Sequence, residues 1–314
     1  MPNWRMPAEW EPHSCTWMAW PSAQYTLGET EVAADEAHRT WAAVANSVSE
    51  FEKVRLLCES KDLAIAKKYL SSEIDLIQAE LDDAWMRDIG PTFVADEAGS
   101  IAGVDWIFNG WGQKFVPFDK DAAVASAWAK HAGHPVRNID MVLEGGSITS
   151  DGAGLLATTE QCLLHPNRNP HLSKAQIEQR LRSEFDLNEV MWLPHGLSMD
   201  ADTDGHVDNV AIFVAPRTMV FQTCDDKSLS DHLRLEENRK VAQSFDVTMH
   251  EIPVLPVIEY HGERMQVPYL NFYMINGAVI VPVCGHAADD DMLALIAEFV
   301  PDRQVVGLDV GAIL

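Results

Sequence analysis

Residues 200–208 carry acids and one histidine at every second position, in the order Asp-Ala-Asp-Thr-Asp-Gly-His-Val-Asp. On extended backbone, alternate residues share one face, so His206 and Asp208 are predicted to point together into a cleft. Asp204 precedes them with the same spacing, and an apolar run follows. A histidine held beside carboxylates is the arrangement that acid–base catalysis needs. The segment therefore predicts an enzyme.

The same segment resembles the start of a calcium-binding loop, but the resemblance fails at the twelfth position. That position is Ala211, where a bidentate glutamate is required, and the flanking residues are typical of strands instead of helices. A metal site made of His206 and the acids stays open, although no second histidine stands at ligand spacing. We interpret Asp200 and Asp202 as a solvated acidic turn.

Two further segments combine carboxylates with residues suited to binding a ligand. Glu144 follows an apolar run and precedes two glycines, which would let backbone approach a substrate closely. Trp85 and Asp88 lie in the loop 82–91, and a tryptophan beside a carboxylate is one way to recognise a planar cation. The alternatives are a simple turn at Glu144 and a structural pair between Arg87 and Asp88. The loops 109–118 and 165–171 have a similar character.

The five cysteines are scattered and never form a Cys-x-x-Cys pair. This pattern predicts reduced thiols in a cytoplasmic protein and no disulfide frame. Cys284, which precedes Gly285 and His286, is the best local candidate for a nucleophile. An inert core role is nevertheless the favoured interpretation for it.

The overall charge restricts the partners of the chain. The 314 residues include 23 Lys and Arg against 48 Asp and Glu, a formal charge of -25. Such a surface repels nucleic acid and anionic lipid, and it favours a cationic substrate or simple solubility. The N-terminus lacks the apolar region of a secretory signal, and no apolar run is long enough to span a membrane.

Short apolar runs alternate with amphipathic stretches, which predicts an α/β fold without a linker between domains. The predicted strands are 15–19, 54–58, 100–108, 154–158, 190–193, 210–215, 219–222 and 278–282. The predicted helices are 29–50, 61–70, 119–132, 173–184, 233–245 and 289–299, with Ser173 as an N-terminal cap. A loose recurrence of strand, acid-bearing turn and helix accompanies this alternation.

Taken together, these segments resemble the agmatine deiminase family, a branch of the guanidino-group-modifying enzymes that includes bacterial peptidyl-arginine deiminases. The resemblance keeps the order of the family's motifs and covers nearly the whole chain. The matching stretches are 11–21, 82–93, 104–115, 143–148, 162–172, 192–214 and 268–282.

The resemblance implies a single deiminase domain over residues 1–314, built as a fivefold pseudosymmetric α/β propeller of ββαβ units around a central acidic pocket. It implies a hydrolase of polyamine metabolism that converts agmatine to N-carbamoylputrescine and ammonia, without metal or organic cofactor. By motif, Asp88 and Asp208 would bind the guanidinium, Glu144 would hold His206, and His206 would be the general acid and base. Trp85 would shape the pocket, and Asp204 is added as a candidate substrate-binding residue.

Two positions depart from the family pattern. The family's nucleophile lies in a C-terminal Gly-Gly-Gly-x-Ile-His-Cys segment, whereas this sequence ends at Leu314, before that segment would begin. We therefore expect the nucleophile to be absent from residues 1–314, through truncation or natural variation, and the apolar last residues favour truncation. Thr149 stands where relatives commonly carry histidine.

Three alternatives stay open beside the leading hypothesis. The first is a deiminase of another guanidine or of peptidyl arginine, and the second is an inactive protein that binds guanidines or polyamines. The third is a metallohydrolase, which would lose activity on chelation. The sequence also leaves open whether the protein forms a homo-oligomer.

Overall fold

The computed structural model describes residues 3–254, 258–260, 263–265 and 269–313. Pro268, which begins one of the matching stretches, and Leu314, the last residue, lie outside the described residues. Within the described part, strands and helices alternate along the chain as predicted.

Five three-stranded sheets recur along the chain, each built from consecutive strands. In four of them the first strand is antiparallel to the second, and the second is parallel to the third across an intervening helix. This ββαβ repeat is the unit of the predicted fivefold pseudosymmetric α/β propeller, so the predicted fold class is confirmed. The strands, grouped by sheet, are β1 Thr16–Ala19, β2 Val54–Cys58 and β3 Asp75–Gln78; β4 Thr92–Ala95, β5 Ile101–Ile107 and β6 Val136–Val142; β7 Ile148–Ser150, β8 Leu155–Thr159 and β9 Glu189–Leu193; β10 Ala211–Ala215, β11 Thr218–Thr223 and β12 Thr248–Pro253; and β15 Tyr273–Ile275, β16 Ala278–Val283 and β17 Gln304–Asp309.

The first sheet is built differently from the other four. Its strands β1, β2 and β3 are all parallel, because a helix connects each strand to the next. A separate two-stranded hairpin, β13 Ile258–Tyr260 and β14 Glu263–Met265, lies in the chain between the fourth and fifth sheets.

In the part of the chain that the structure describes, six longer helices and four short ones connect the strands. Ser173 caps the helix Lys174–Phe185 as predicted, since its hydroxyl accepts from Gln176 N while the Gln176 side chain accepts from Ser173 N. The helices are α1 Gln24–Leu27, α2 Glu31–Ser49, α3 Leu63–Tyr69, α4 Met86–Ile89, α5 Gly110–Gln113, α6 Val124–His131, α7 Glu160–Leu163, α8 Lys174–Phe185, α9 Ser230–Ala242 and α10 Asp289–Phe299. None of the helices in the described ranges is both long enough and apolar enough to cross a membrane.

The predicted strands correspond to the buried strands, whereas most missed strands are sheet edges. The central strands β2, β8 and β11 are almost fully buried and were all predicted. The edge strands β3, β12 and β17 were missed because they are largely exposed or half-buried and carry polar residues. An edge strand therefore lacks the continuous apolar run on which the prediction depends.

The chain divides into two compact units. The first comprises residues up to 9, 87–118 and 122–254, and the second comprises 10–86, 119–121 and 255–314. The prediction of a single domain over 1–314 stays a prediction.

An apolar core in the first unit supports the segments that carry the predicted site residues. It combines buried side chains of the second and third sheets with Ile177, Leu181 and Phe185 of α8. Met141 and Leu143 belong to this core and lie directly before Glu144. Burying such side chains stabilises the fold by about 1.5–3 kcal/mol each, so the chain on either side of Glu144 is firmly held.

Candidate active site

Three polar atoms of the predicted site residues converge on Gly146. A methyl group built on Gly146 would lie 2.5 Å from His206 Nδ1, 2.6 Å from Asp208 Oδ2 and 3.1 Å from Asp88 Oδ1. These distances leave no room for any side chain at position 146. Residues far apart in sequence thus meet at one point, as predicted for Asp88, His206 and Asp208.

Asp88 lies in α4, and both of its carboxylate oxygens accept hydrogen bonds. Oδ1 accepts from Gly146 N at 2.8 Å, and Oδ2 accepts from Trp111 Nε1 at 3.0 Å. Arg87 donates to Glu9 at 2.7 Å, so the ion pair observed for Arg87 differs from the Arg87–Asp88 pair considered above. The two donors to Asp88 fix the plane of its carboxylate beside Gly146.

Trp111 reaches Asp88 through a tight, irregular turn. Its φ of 52° lies in the left-handed region, and Asn109 caps this turn by accepting from Gly112 N. The buried indole also packs edge-on against Phe108 and Phe115. An uncommon backbone conformation that places a hydrogen-bond donor on a site carboxylate is typical of functional loops.

His206 and Asp208 converge by a different backbone route from the one predicted. Residues Val207–Asn209 form a 3-10 turn, so the extended conformation predicted across His206 and Asp208 is wrong. Val207 and Val210 are fully buried, and the turn that buries them carries Asp208 back toward His206. The predicted meeting of the two side chains is nevertheless found.

Asp200 organises the loop before His206. Its carboxylate accepts from His206 N at 3.0 Å, from Asn209 Nδ2 at 3.2 Å and from Thr203 N at 3.2 Å. Asp200 is half-buried, so its interpretation as part of a solvated acidic turn stays a prediction, and its carboxylate also holds the loop together. Asp202 is exposed, as expected.

Glu144 lies directly behind His206 and is completely buried. Its Oε1 accepts from Arg168 Nε at 2.6 Å, while Oε2 lies 4.0 Å from His206 Nε2. Neither Oε2 nor Nε2 has a hydrogen-bond partner in the described part of the chain. One His206 nitrogen therefore faces Glu144 and the other faces Gly146.

Asp204 lies among cations of the protein. Its carboxylate accepts from Arg168 Nη1 at 2.7 Å, from Asn167 Nδ2 at 2.9 Å and from Lys114 Nζ at 2.6 Å. These contacts hold the pKa of Asp204 at about 2, despite partial burial that acts in the opposite direction. The contacts place Asp204 beside Arg168, and its predicted role in substrate binding stays a prediction.

Cys162 is fully buried in α7, where Thr159 caps the helix. Single ligand atoms of Glu144, Cys162 and His206 all lie within 4.8 Å of one another, so this set could also hold a metal ion. Burial raises the pKa of the Cys162 thiol, an effect that His206 partly offsets. A protonated, inaccessible thiol is a poor nucleophile.

The pKa values of Asp208, His206 and Glu144 are all raised, for different reasons. Burial, with Asp88 nearby, raises the pKa of Asp208 to about 7, although His206 acts in the opposite direction. Burial alone would lower the pKa of His206, but Asp88, Cys162 and Asp208 raise it well above its ordinary value. Burial also raises the pKa of Glu144 against the opposing effects of Arg168 and His206. Shifted pKa values of this kind are common where acid–base chemistry occurs.

The remaining predicted positions lie further from Gly146. Trp85 belongs to the second unit, where it packs edge-on against Trp41 with ring centroids 5.3 Å apart. Its predicted role in shaping the pocket stays a prediction.

Thr149 is buried in β7 and accepts from Phe213 N at 3.4 Å, which links the third and fourth sheets. Cys284 belongs to the second unit.

Trp111 and Arg168 were not predicted as site residues, although the loops 109–118 and 165–171 that contain them were noted as candidates. Gly146 is the second of the two glycines after Glu144 that were predicted to let backbone approach a substrate. Nothing in the local sequence distinguishes an arginine that binds two carboxylates from an exposed one, because its partners are 24 and 36 residues away.

Comparisons with known proteins agree with this site and this fold. The family model for Porphyromonas-type peptidyl-arginine deiminase matches residues 5–314. The agmatine deiminase of Medicago truncatula is 36% identical over 98% of this chain and 91% of its own length. The structure of agmatine deiminase from Enterococcus faecalis matches with a TM-score of 0.90 at 30% identity, covering 99% of this chain and 92% of the other.

A second solved structure carries a substrate. It is a cysteine-to-serine variant of the C. jejuni agmatine deiminase with substrate bound, and it matches with a TM-score of 0.89 at 28% identity over 98% of this chain and 90% of the other. The repeated sheets and the carboxylate-lined histidine are those of an enzyme that acts on guanidino groups. The chain belongs to the agmatine deiminase and Porphyromonas-type peptidyl-arginine deiminase family, so the resemblance stated above is confirmed.

Proposed function

We propose that the protein hydrolyses agmatine to N-carbamoylputrescine and ammonia, a step of polyamine metabolism. The observation that carries this proposal is the convergence of Asp88, Asp208 and His206 on Gly146. The activity named for relatives that match nearly the whole chain supports it. The strongly acidic composition also favours a cationic substrate over an anionic one.

The two aspartates would bind the guanidinium group. Asp208 Oδ1 is buried and has no hydrogen-bond partner in the described ranges, so it needs a donor. The N–H groups of a guanidinium form a planar set of donors that suits two carboxylates. Binding between Asp88 and Asp208 would localise the positive charge and fix the central carbon for attack.

His206 would transfer the protons of the reaction. A cysteine thiolate attacks the guanidinium carbon, and the C–N bond breaks as His206 protonates the departing ammonia. Water then adds to the S-alkylthiouronium intermediate while His206 removes a proton from it. The C–S bond breaks, so that the thiolate and N-carbamoylputrescine are released. Glu144, facing Nε2, would hold the imidazole with Nδ1 toward the substrate.

We propose that Cys162 is not the attacking thiolate. Its sulfur lies near Glu144 and His206, but the residue is fully buried and burial raises its thiol pKa. The substrate-bound relative is a cysteine-to-serine variant, which supports cysteine chemistry in the family. Turnover is therefore assayed on a chain that carries the family's Gly-Gly-Gly-x-Ile-His-Cys segment, and loss of ammonia release in its Cys162→Ala variant, with the fold intact, would overturn this assignment.

The experiment combines binding with turnover. Agmatine affinity is measured by isothermal titration calorimetry, and ammonia and N-carbamoylputrescine are measured in the same preparation. We expect His206→Ala to abolish turnover while agmatine still binds. The matched control is His195→Ala, since His195 pairs with Glu237 instead of a site residue. Absence of agmatine binding by the unmodified protein would overturn the proposal.

The same assays separate the alternatives. Turnover of peptidyl arginine or free arginine in preference to agmatine would indicate the other deiminase activities named for members of the family. Binding of agmatine without turnover would indicate a guanidine-binding protein. Loss of turnover on chelation would indicate a metal held by Glu144, Cys162 and His206.

Cellular location and assembly are further proposals. All five cysteines are free, which supports a reducing cytoplasm. The acidic surface disfavours nucleic acid and membranes as partners. Whether the protein forms a homo-oligomer is tested by analytical ultracentrifugation.

A further inference from the structure

Arg168 is the most deeply buried cation of the site, and the mechanism above does not use it. Its side chain is completely buried, as is that of Glu144. An arginine is almost never fully buried unless its charge is paired. Here the charge is paired twice, with Glu144 on one side and Asp204 on the other.

The guanidinium of Arg168 links the segment of Glu144 to the loop that carries His206. Nε donates to Glu144 Oε1 at 2.6 Å, Nη1 donates to Asp204 Oδ2 at 2.7 Å, and Nη2 donates to the Thr203 carbonyl at 3.0 Å. Thr203 and Asp204 lie three and two residues before His206. Asp200 holds the His206 backbone from within the loop, and Arg168 is the group that joins this loop to Glu144.

We propose that Arg168 is a positioning residue for the deiminase reaction, holding Glu144 Oε2 opposite His206 Nε2. This inference rests on the proposed function. With Oε1 engaged by Arg168, Oε2 is the oxygen left for the imidazole.

A lysine at position 168 could not make all the contacts that Arg168 makes. The planar guanidinium donates to two carboxylates and a carbonyl at fixed angles, whereas an ammonium is a single point charge. We expect Arg168→Lys to preserve the charge beside Glu144 but to lose part of the link to Thr203 and Asp204. Arg168→Met removes both the charge and the link.

The first readout is the geometry at His206, which does not depend on turnover. The ring nitrogens of His206 are followed by NMR at one fixed pH and identified by their absence in His206→Ala, and crystal structures give the distance from Glu144 Oε2 to His206 Nε2, which is 4.0 Å in the unmodified protein. We expect both the resonances and this distance to change in Arg168→Met, with Arg168→Lys between that variant and the unmodified protein. An unchanged distance with unchanged resonances in Arg168→Met would overturn the proposal.

The second readout is catalysis. General acid–base catalysis contributes about 10²–10⁴-fold, so a displaced His206 should reduce kcat on the order of 10²-fold in Arg168→Met. Because Arg168 acts through Glu144 and His206, kcat should fall while KM changes little, and Arg168→Lys should restore part of the rate. An unchanged kcat, or a loss in which KM rises as much as kcat falls, would overturn the proposal.

Two controls separate these outcomes from general damage. Asp204→Asn keeps the contact between Arg168 and Glu144 but weakens the link to the loop, so kcat should fall by less than in Arg168→Met. Arg182→Met removes an arginine that pairs with Glu178 and with carbonyls at the end of α8, away from His206. We expect its kcat to be unchanged. If the unmodified protein bound no agmatine, the proposed function would fail while the NMR result still tested Arg168.

Discussion

Replacing Gly146 with alanine tests the geometry of the site most directly. Gly146 does not have a positive φ, so alanine is compatible with its backbone. Its methyl group would lie within 2.5–3.1 Å of the three atoms that face the guanidinium. Contacts under about 3 Å force neighbouring atoms apart, and His206, Asp208 and Asp88 are short side chains with little freedom to move.

The expected loss follows from the bonds that the methyl group blocks. A hydrogen bond to a charged group contributes about 1.5–3 kcal/mol, so losing one bond to each aspartate weakens agmatine binding by about 3–6 kcal/mol. That range corresponds to about 10²- to 10⁴-fold in the dissociation constant. Calorimetry measures this change without requiring turnover.

Gly307→Ala provides the matched control for added volume. A methyl group at Gly307 in β17 would lie 2.7 Å from Leu293 Cδ1, a similar degree of crowding against a flexible side chain. We expect it to lower stability by about 1–3 kcal/mol while agmatine affinity stays unchanged. Full agmatine affinity in Gly146→Ala, with the fold confirmed by thermal unfolding, would refute the assignment of this site.

Three further predictions concern charge and stability. Agmatine affinity should rise as the pH increases through about 7, because a cation binds best once Asp208 has lost its proton; calorimetry across this range that gave a flat or falling affinity would contradict it. Asp88→Asn should weaken agmatine binding by about 1.5–3 kcal/mol, since one charge-assisted bond is lost, and unchanged affinity would count against that contact. Ser173→Ala should lower the free energy of unfolding by about 1 kcal/mol in urea titrations through loss of the α8 cap, whereas Ser183→Ala in the same helix should change it little; equal effects would show that the cap is not responsible.

The sequence predicted the buried framework well and the sheet edges poorly. Strands such as β2 and β8 were predicted because burial on both faces requires a continuous apolar run. The strand β12, Thr-Met-His-Glu-Ile-Pro, has no such run, since its neighbour β11 pairs with it on one side only. An edge strand forms because it pairs with a neighbouring strand that is distant in sequence. The local sequence pattern carries no information about that neighbour.

At the site, the residue types were predicted from the sequence, whereas the backbone conformation was not. His206 and Asp208 were predicted to meet because alternate residues share a face on extended backbone, and they meet although the backbone between them is not extended. The 3-10 turn that joins them was missed, because the burial of Val207 and Val210 against the rest of the protein decides it. Arg168 was missed because its importance comes entirely from partners distant in sequence.

The buried pairing of Arg168 with Glu144 has a consequence for how this protein can evolve. Removing one partner of a buried ion pair leaves an uncompensated charge, which typically costs about 3–5 kcal/mol. A mutation at only one of these two positions would therefore produce a strongly destabilised protein. Substitution at these two positions is expected to occur jointly or not at all, so lineages that diversify their substrates would do so by varying other parts of the chain.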